Sequence, residues 1–136
     1  MLTTAPPLVF VVEDQLLVQM SLEEGLQEAG YDVIVAANGA DATGTIAAMG
    51  DRISGLVTNV HLGGEANGWD VARQSRDLGC TFPVIYTTSG RVSDGDSEAV
   101  PNSLVVPRPY CIEHIVAGLS ALLWRDEEPL FGAFPN

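Results

Sequence analysis

Residues 53–61 read Ile53-Ser54-Gly55-Leu56-Val57-Thr58-Asn59-Val60-His61. The run is apolar and β-branched from Leu56 to Thr58, halts at a polar residue, and opens into the loop Gly63-Gly64-Glu65-Ala66-Asn67-Gly68. This pattern predicts a buried strand ending at a site. In a parallel sheet, ligands and chemistry collect at the carboxyl ends of the strands, which is where Asn59 falls.

Upstream, Leu8-Val9-Phe10-Val11-Val12 is a continuous apolar run, as in a strand buried on both faces. It ends at Glu13-Asp14, with Asp14 placed to cap a helix starting at Gln15. Val18, Leu22, Leu26 and Ala29 then recur at helical spacing until Gly30. Residues 31–36 predict a second strand, Asn38-Gly39 a turn, and residues 40–49 a second helix closed by Gly50. Downstream, residues 69–78 predict a third helix with Val71 and Leu78 among its apolar positions, and residues 82–88 a fourth strand entered through Pro83. Residues 89–103 hold Gly90, Gly95, Pro101 and an acidic cluster, so a fourth helix there is expected to be short and weakly amphipathic. Leu104-Val105-Val106 is a short fifth strand, and Pro107-Arg108-Pro109 a rigid turn in which either X–Pro bond is open to the cis form. Ile112, Ile115, Val116, Leu119, Leu122 and Leu123 mark a last helix ending near Trp124. Five alternations of strand and helix predict an α/β fold with a parallel sheet covered on both faces. The expected division is an N-terminal extension at 1–6, one domain at 7–124, and a tail at 125–136 whose Leu130, Phe131 and Phe134 are candidates for docking.

The chain has 136 residues, the size of one domain, and is 46% hydrophobic. No apolar run is long enough to span a bilayer, and the N-terminus has neither a basic region nor a cleavage site, so a cytoplasmic location is expected. Net charge is −12, which argues against binding nucleic acid or anionic membrane. All basic residues are arginine, so mechanisms that need lysine are excluded. Cys80 and Cys111 lack metal-ligand spacing and are expected to be small buried hydrophobes. His61 is expected to be exposed in a loop, His114 to be structural or at the surface, and Trp69 to serve packing.

Five segments in order resemble the receiver domain of two-component response regulators. They are Val11-Val12-Glu13-Asp14, Leu56-Val57-Thr58-Asn59-Val60-His61-Leu62, Asn67-Gly68-Trp69, residues 83–89, and Pro107-Arg108-Pro109-Tyr110. The resemblance implies a flavodoxin-like, doubly wound five-stranded parallel sheet of order 2-1-3-4-5. It further implies a site in which a histidine kinase phosphorylates an aspartate beside Mg²⁺. Glu13 and Asp14 match the acidic pair that helps hold the metal, the main-chain carbonyl of His61 a further metal ligand, and Thr88 the hydroxyl that meets the phosphoryl group. Two reactive positions depart from the pattern. Asn59 stands at the phosphoacceptor position, where an amide has no anionic oxygen to attack phosphorus. Its missing charge is expected to weaken or abolish Mg²⁺ binding. Arg108 stands at the lysine position; arginine keeps the charge but is larger and forked, and could reach Glu13 or Asp14 and occupy the space for metal and phosphate. Val105 replaces the usual aromatic switch.

The expected function is therefore a stand-alone, non-enzymatic protein–protein signalling module of a phosphorelay, not phosphorylatable at Asn59. It would be a natural pseudo-receiver or an Asp→Asn variant. The implied partners are a histidine kinase, a phosphotransfer protein or another receiver, with homodimerisation open. The competing reading is a small flavodoxin-like enzyme or cofactor-binding domain. Against it, Asn59 denies a phosphatase its nucleophile, and Glu13-Asp14 would repel a flavin phosphate.

Overall fold

The computed structural model describes residues 5–88 and 98–124. Along the chain run β1 (Leu8–Val12), α1 (Leu16–Glu28), β2 (Asp32–Ala36), α2 (Gly39–Met49), a 3-10 turn (Gly50–Arg52), β3 (Gly55–Asn59), α3 (Gly68–Asp77), β4 (Val84–Thr88), β5 (Ser103–Pro107) and α4 (Ile112–Leu123). The strands form one parallel sheet of order β2-β1-β3-β4-β5, the topology expected from the sequence.

Burial on both faces explains the unbroken apolar runs. Phe10, Val12, Leu56, Val84 and Tyr86 pack with Ile46 of α2 and Val71 of α3 on one side. Val9, Val11, Val57 and Ile85 pack with Leu22 and Leu26 of α1 and Ile115 and Leu119 of α4 on the other. α3 opens on a capping box: the Asn67 side chain accepts from the Asp70 N–H while the Asp70 carboxylate accepts from the Asn67 N–H. Trp69 is buried against Tyr86 with ring centroids 4.3 Å apart, the packing role expected of it.

Several local expectations are corrected. Asp14 does not cap α1. Gln15 holds the cap position without a side-chain bond, and Glu13 accepts the Gln15 N–H instead, at 3.0 Å. Ala29 is exposed because the helix ends at Glu28, and Leu78 is exposed because α3 ends at Asp77, ahead of Gly79 at φ +92°. Cys111 is exposed at the N-cap of α4, against expectation, whereas Cys80 is partly buried and packs against the core. His61 and His114 are exposed. The Arg108–Pro109 bond is cis. Most of the segment read as a weak fourth helix, and the tail at 125–136, lie outside the described residues.

Two glycines of this fold separate opposite effects. A Cβ on Gly25 would run into Ile112 Cγ2 of α4, whereas one on Gly44 would meet nothing within 4 Å. We expect Gly25→Ala to destabilise by ~1–3 kcal/mol through overpacking of the α1–α4 contact. Gly44→Ala should stabilise α2 by ~0.5–1 kcal/mol. Urea unfolding midpoints of the two variants check both.

Candidate functional site

The site starts from the pairing of β1 with β3. Val12 lies beside Thr58, so the next residues, Glu13 and Asn59, emerge side by side at the carboxyl edge. The Glu13 N–H donates to the Ala36 carbonyl at 3.0 Å, which holds Glu13 extended beyond the strand end. Its carboxylate is buried, 1% exposed. Oε2 accepts the Gln15 N–H at 3.0 Å, and Asn59 Nδ2 donates to Oε1 and Oε2 at 3.2 and 3.3 Å. Asn59 Oδ1 accepts the His61 N–H at 3.0 Å. A backbone N–H only donates, so it fixes the orientation of the amide: oxygen toward His61, NH₂ toward Glu13. Gly68 closes the arrangement from α3. Its N–H donates to the Val60 carbonyl at 2.9 Å, and a Cβ there would collide with the Asn59 carbonyl oxygen.

Burial pushes the Glu13 carboxyl above its ordinary value. The hydrogen bonds from Gln15 and Asn59 work against that rise, and the neighbouring Asp14 adds to it. Tyr110 is raised as well, mainly by burial; the Glu13 charge reinforces the rise and Arg108 opposes it. Tyr110 thus lies within electrostatic reach of both sides of the cleft.

The structure joins Glu13 directly to Asn59, with exposed Asp14 beside Glu13. Thr88 is buried at the end of β4, and its carbonyl accepts the Arg108 N–H at 2.7 Å. The Arg108 guanidinium does not pair with Glu13 or Asp14. Among the described residues both ion pairs belong to Arg73, with Asp70 and Glu98. The Glu13 oxygens are met instead by the Asn59 amide and the Gln15 backbone N–H. Val105 is partly buried against the α2/α3 side of the core. Sequence reasoning missed Gln15 and Gln19, which fasten Glu13 by a backbone N–H and by a side-chain bond from Gln19 Nε2 to the Glu13 carbonyl at 3.1 Å. It also missed Thr87, whose buried hydroxyl has no partner among the described residues and whose backbone lies beside Asn59 in the β3–β4 register. The four-residue spacing of the two glutamines at a helix start was the available signal for the first pair; Thr87 had none.

A Mg²⁺ ion needs oxygen ligands. Toward Glu13, Asn59 presents an N–H donor, while its amide oxygen accepts the His61 N–H. The Asn59 NH₂ group turned toward Glu13 offers a cation no lone pair. Among the described residues there is also no group of three or more His, Cys, Asp or Glu side chains placed to hold a metal.

No protein-family model matches the chain. The chain is 34% identical over 124 residues to the response regulator MprA of Mycobacterium avium (strain 104), across 88% of this chain and 52% of that protein. It is equally similar to MprA of Mycobacterium tuberculosis (strain ATCC 25618 / H37Rv), of which it covers 51%. The chain thus spans about half the length of the curated relatives it matches. Among solved structures, a response regulator receiver protein from Sinorhizobium medicae WSM419 superposes with a TM-score of 0.82 at 25% identity, covering 87% of this chain and 94% of that one. The chemotaxis protein CheY4 of Vibrio cholerae gives 0.77 at 21% identity over 87% and 99%, a likeness of fold.

The raised Glu13 pKa sets a pH dependence. As pH rises past the ordinary value of 4.5, the unfolded chain gives up this proton before the folded one, so stability is lost through the window up to the raised value. Glutamine carries no such proton. We expect the melting temperature of the parent to fall relative to that of Glu13→Gln as pH rises from about 4 toward neutrality, whatever the offset that the changed hydrogen bonds set between the two. Thermal unfolding of both proteins across that range measures it.

Proposed function

The chain belongs to the receiver domains of two-component response regulators, and on that premise we propose that it is a pseudo-receiver held in one unphosphorylated state by the Asn59–Glu13 hydrogen bond. The observation that carries the reading is the orientation of the Asn59 amide, with its NH₂ group turned to the buried Glu13 carboxylate. Where two facing carboxylates would repel each other and call for a cation, a neutral donor meets an acceptor and the cleft is satisfied without metal. An amide nitrogen is also no nucleophile for phosphoryl transfer, and its oxygen carries no formal charge. Glu13, Asp14, Thr88 and Arg108 then remain as the frame of a phosphorylation site whose acceptor is gone.

On this reading the module acts by surface contact, not by chemistry. A histidine kinase, a phosphotransfer protein or another receiver would read its fixed conformation. Among the described residues no helix is long and apolar enough to cross a membrane, in keeping with a cytoplasmic partner.

The test compares the chain with Asn59→Asp. The substitution brings a second carboxylate to within hydrogen-bond distance of Glu13, so one of the two must take up a proton or a cation. We expect the variant to be destabilised at neutral pH without metal and to regain stability on adding Mg²⁺. It should also bind beryllofluoride with Mg²⁺ and accept phosphate from a small phosphodonor, without any change at Arg108. The parent should respond to neither Mg²⁺ nor beryllofluoride in the same thermal-shift assay. Phosphorylation of the parent at residue 59, read by intact mass, would overturn the proposal.

A further inference from the structure

A groove of about 640 Å³ runs between α1 and α4. Gly25 shapes it: with no side chain there, Ile112 of α4 sits against the α1 backbone, where a Cβ would collide with it. Ile112 and Val116, both half-buried, supply an apolar floor. Glu24 and Glu28 stand one helical turn apart along the α1 wall, and Glu113 stands on the α4 wall. All three are exposed. Neither helix contains lysine or arginine. Among the described residues both ion pairs belong to Arg73, so none of these carboxylates is paired with a cation there.

We propose that this groove receives a basic amphipathic helix of a partner protein, with its apolar stripe on Ile112 and Val116 and its arginine or lysine heads on Glu24, Glu28 and Glu113. Charge complementarity selects this occupant. A second copy of the chain, paired face to face, would set the three carboxylates against the same three of its neighbour, and like charges so placed oppose binding. A single metal ion does not suit the site, because among the described residues no three acidic side chains converge to hold one. The carboxylates are spaced instead for separate cationic groups, and cations one turn apart on a partner helix match Glu24 and Glu28. Arginine and lysine also lay their methylene stems along an apolar floor while their charged heads reach the rim. A helix lying in a groove is a recurrent mode of recognition, and the net charge of −12 draws a basic partner toward the chain before contact. The proposal rests on the reading that the module acts by surface contact and names the chemistry of what it contacts.

The probe is a synthetic helical peptide of alanine and leucine with arginines at i, i+4 and i+7 beside a leucine stripe, titrated into the full chain and read by backbone-amide NMR. A peptide of the same composition with its arginines scattered around the helix is the control. We expect shift changes confined to residues 21–29 and 112–117, and clearly weaker binding of the scattered peptide. Glu24→Gln, Glu28→Gln and Glu113→Gln together should weaken the patterned peptide about tenfold, the size of three exposed pairs acting at once. Asp51→Asn, Glu65→Gln and Asp77→Asn together remove the same charge from exposed positions outside the groove and should leave its affinity nearly unchanged. Ala117→Asp places a further carboxylate at an exposed position in the groove. It should weaken the peptide, whereas attraction by charge alone would grow stronger. Shifts spread over the acidic surface, equal binding of the two peptides, or equal loss in the two triple variants would overturn the proposal. So would concentration-dependent shifts at the groove without peptide, which would assign the face to a second copy. Beryllofluoride binding and phosphodonor labelling bear on residue 59 alone, so the reading of Asn59 and this proposal can fail separately.

Discussion

A neutral amide facing a buried carboxylate is the contact on which the carboxyl edge of this sheet depends. Glu13 is almost fully enclosed, and a buried charge is tolerated only when its oxygens are met by donors. Gln15 supplies one N–H and Asn59 supplies the amide. With those donors in place the carboxylate is satisfied within the protein. Removing the donor at residue 59 would leave Glu13 short of a partner in a site it cannot leave, so structure and chemistry at this edge are one constraint.

The same contact orders its surroundings. The Asn59 amide is oriented by the His61 N–H, which ties the loop after β3 to the strand. Gly68 brings the start of α3 against the Asn59 carbonyl, where a side chain does not fit. From there Trp69 packs on Tyr86, and the Tyr86 hydroxyl accepts the Val100 N–H at 3.1 Å. A continuous set of contacts thus leads from the cleft through α3 and β4 to the chain entering β5. Aromatic packing in this domain lies along that path and not at position 105, where the sequence has valine.

The two ends of the sheet carry different burdens. At the carboxyl edge, Glu13 and Asn59 pair with each other and with backbone N–H groups. The amino edge is open and lined by polar as well as apolar residues, with Leu78 released from α3 into solvent. Leu16, Leu17 and Met20 of α1 and Leu104 of β5 are further large apolar side chains exposed at the surface.

The sequence by itself determined the strands of the sheet, and its resemblance to receiver domains implied their order and the address of the candidate site. Runs such as residues 8–12 and 56–58 are apolar without alternation because both faces of a central parallel strand are buried, and that physical demand is visible in one dimension. The departures at Asn59, Arg108 and Val105 were equally legible, since residue type alone says whether a charge or a ring is present. What only the tertiary structure decided was how those residues pair. Glu13 and Asn59 are 46 positions apart, and it is the register of β1 on β3 that makes them neighbours. Asp14 was read as the cap, and Arg108 as able to reach Glu13 or Asp14. Glu13 accepts the Gln15 N–H and the Asn59 NH₂ instead, because competition for its oxygens is settled by which donors the backbone brings within about 3 Å. Hydrogen-bond partnership is a short-range, directional property, so it waits for the fold, whereas burial leaves its mark along the chain.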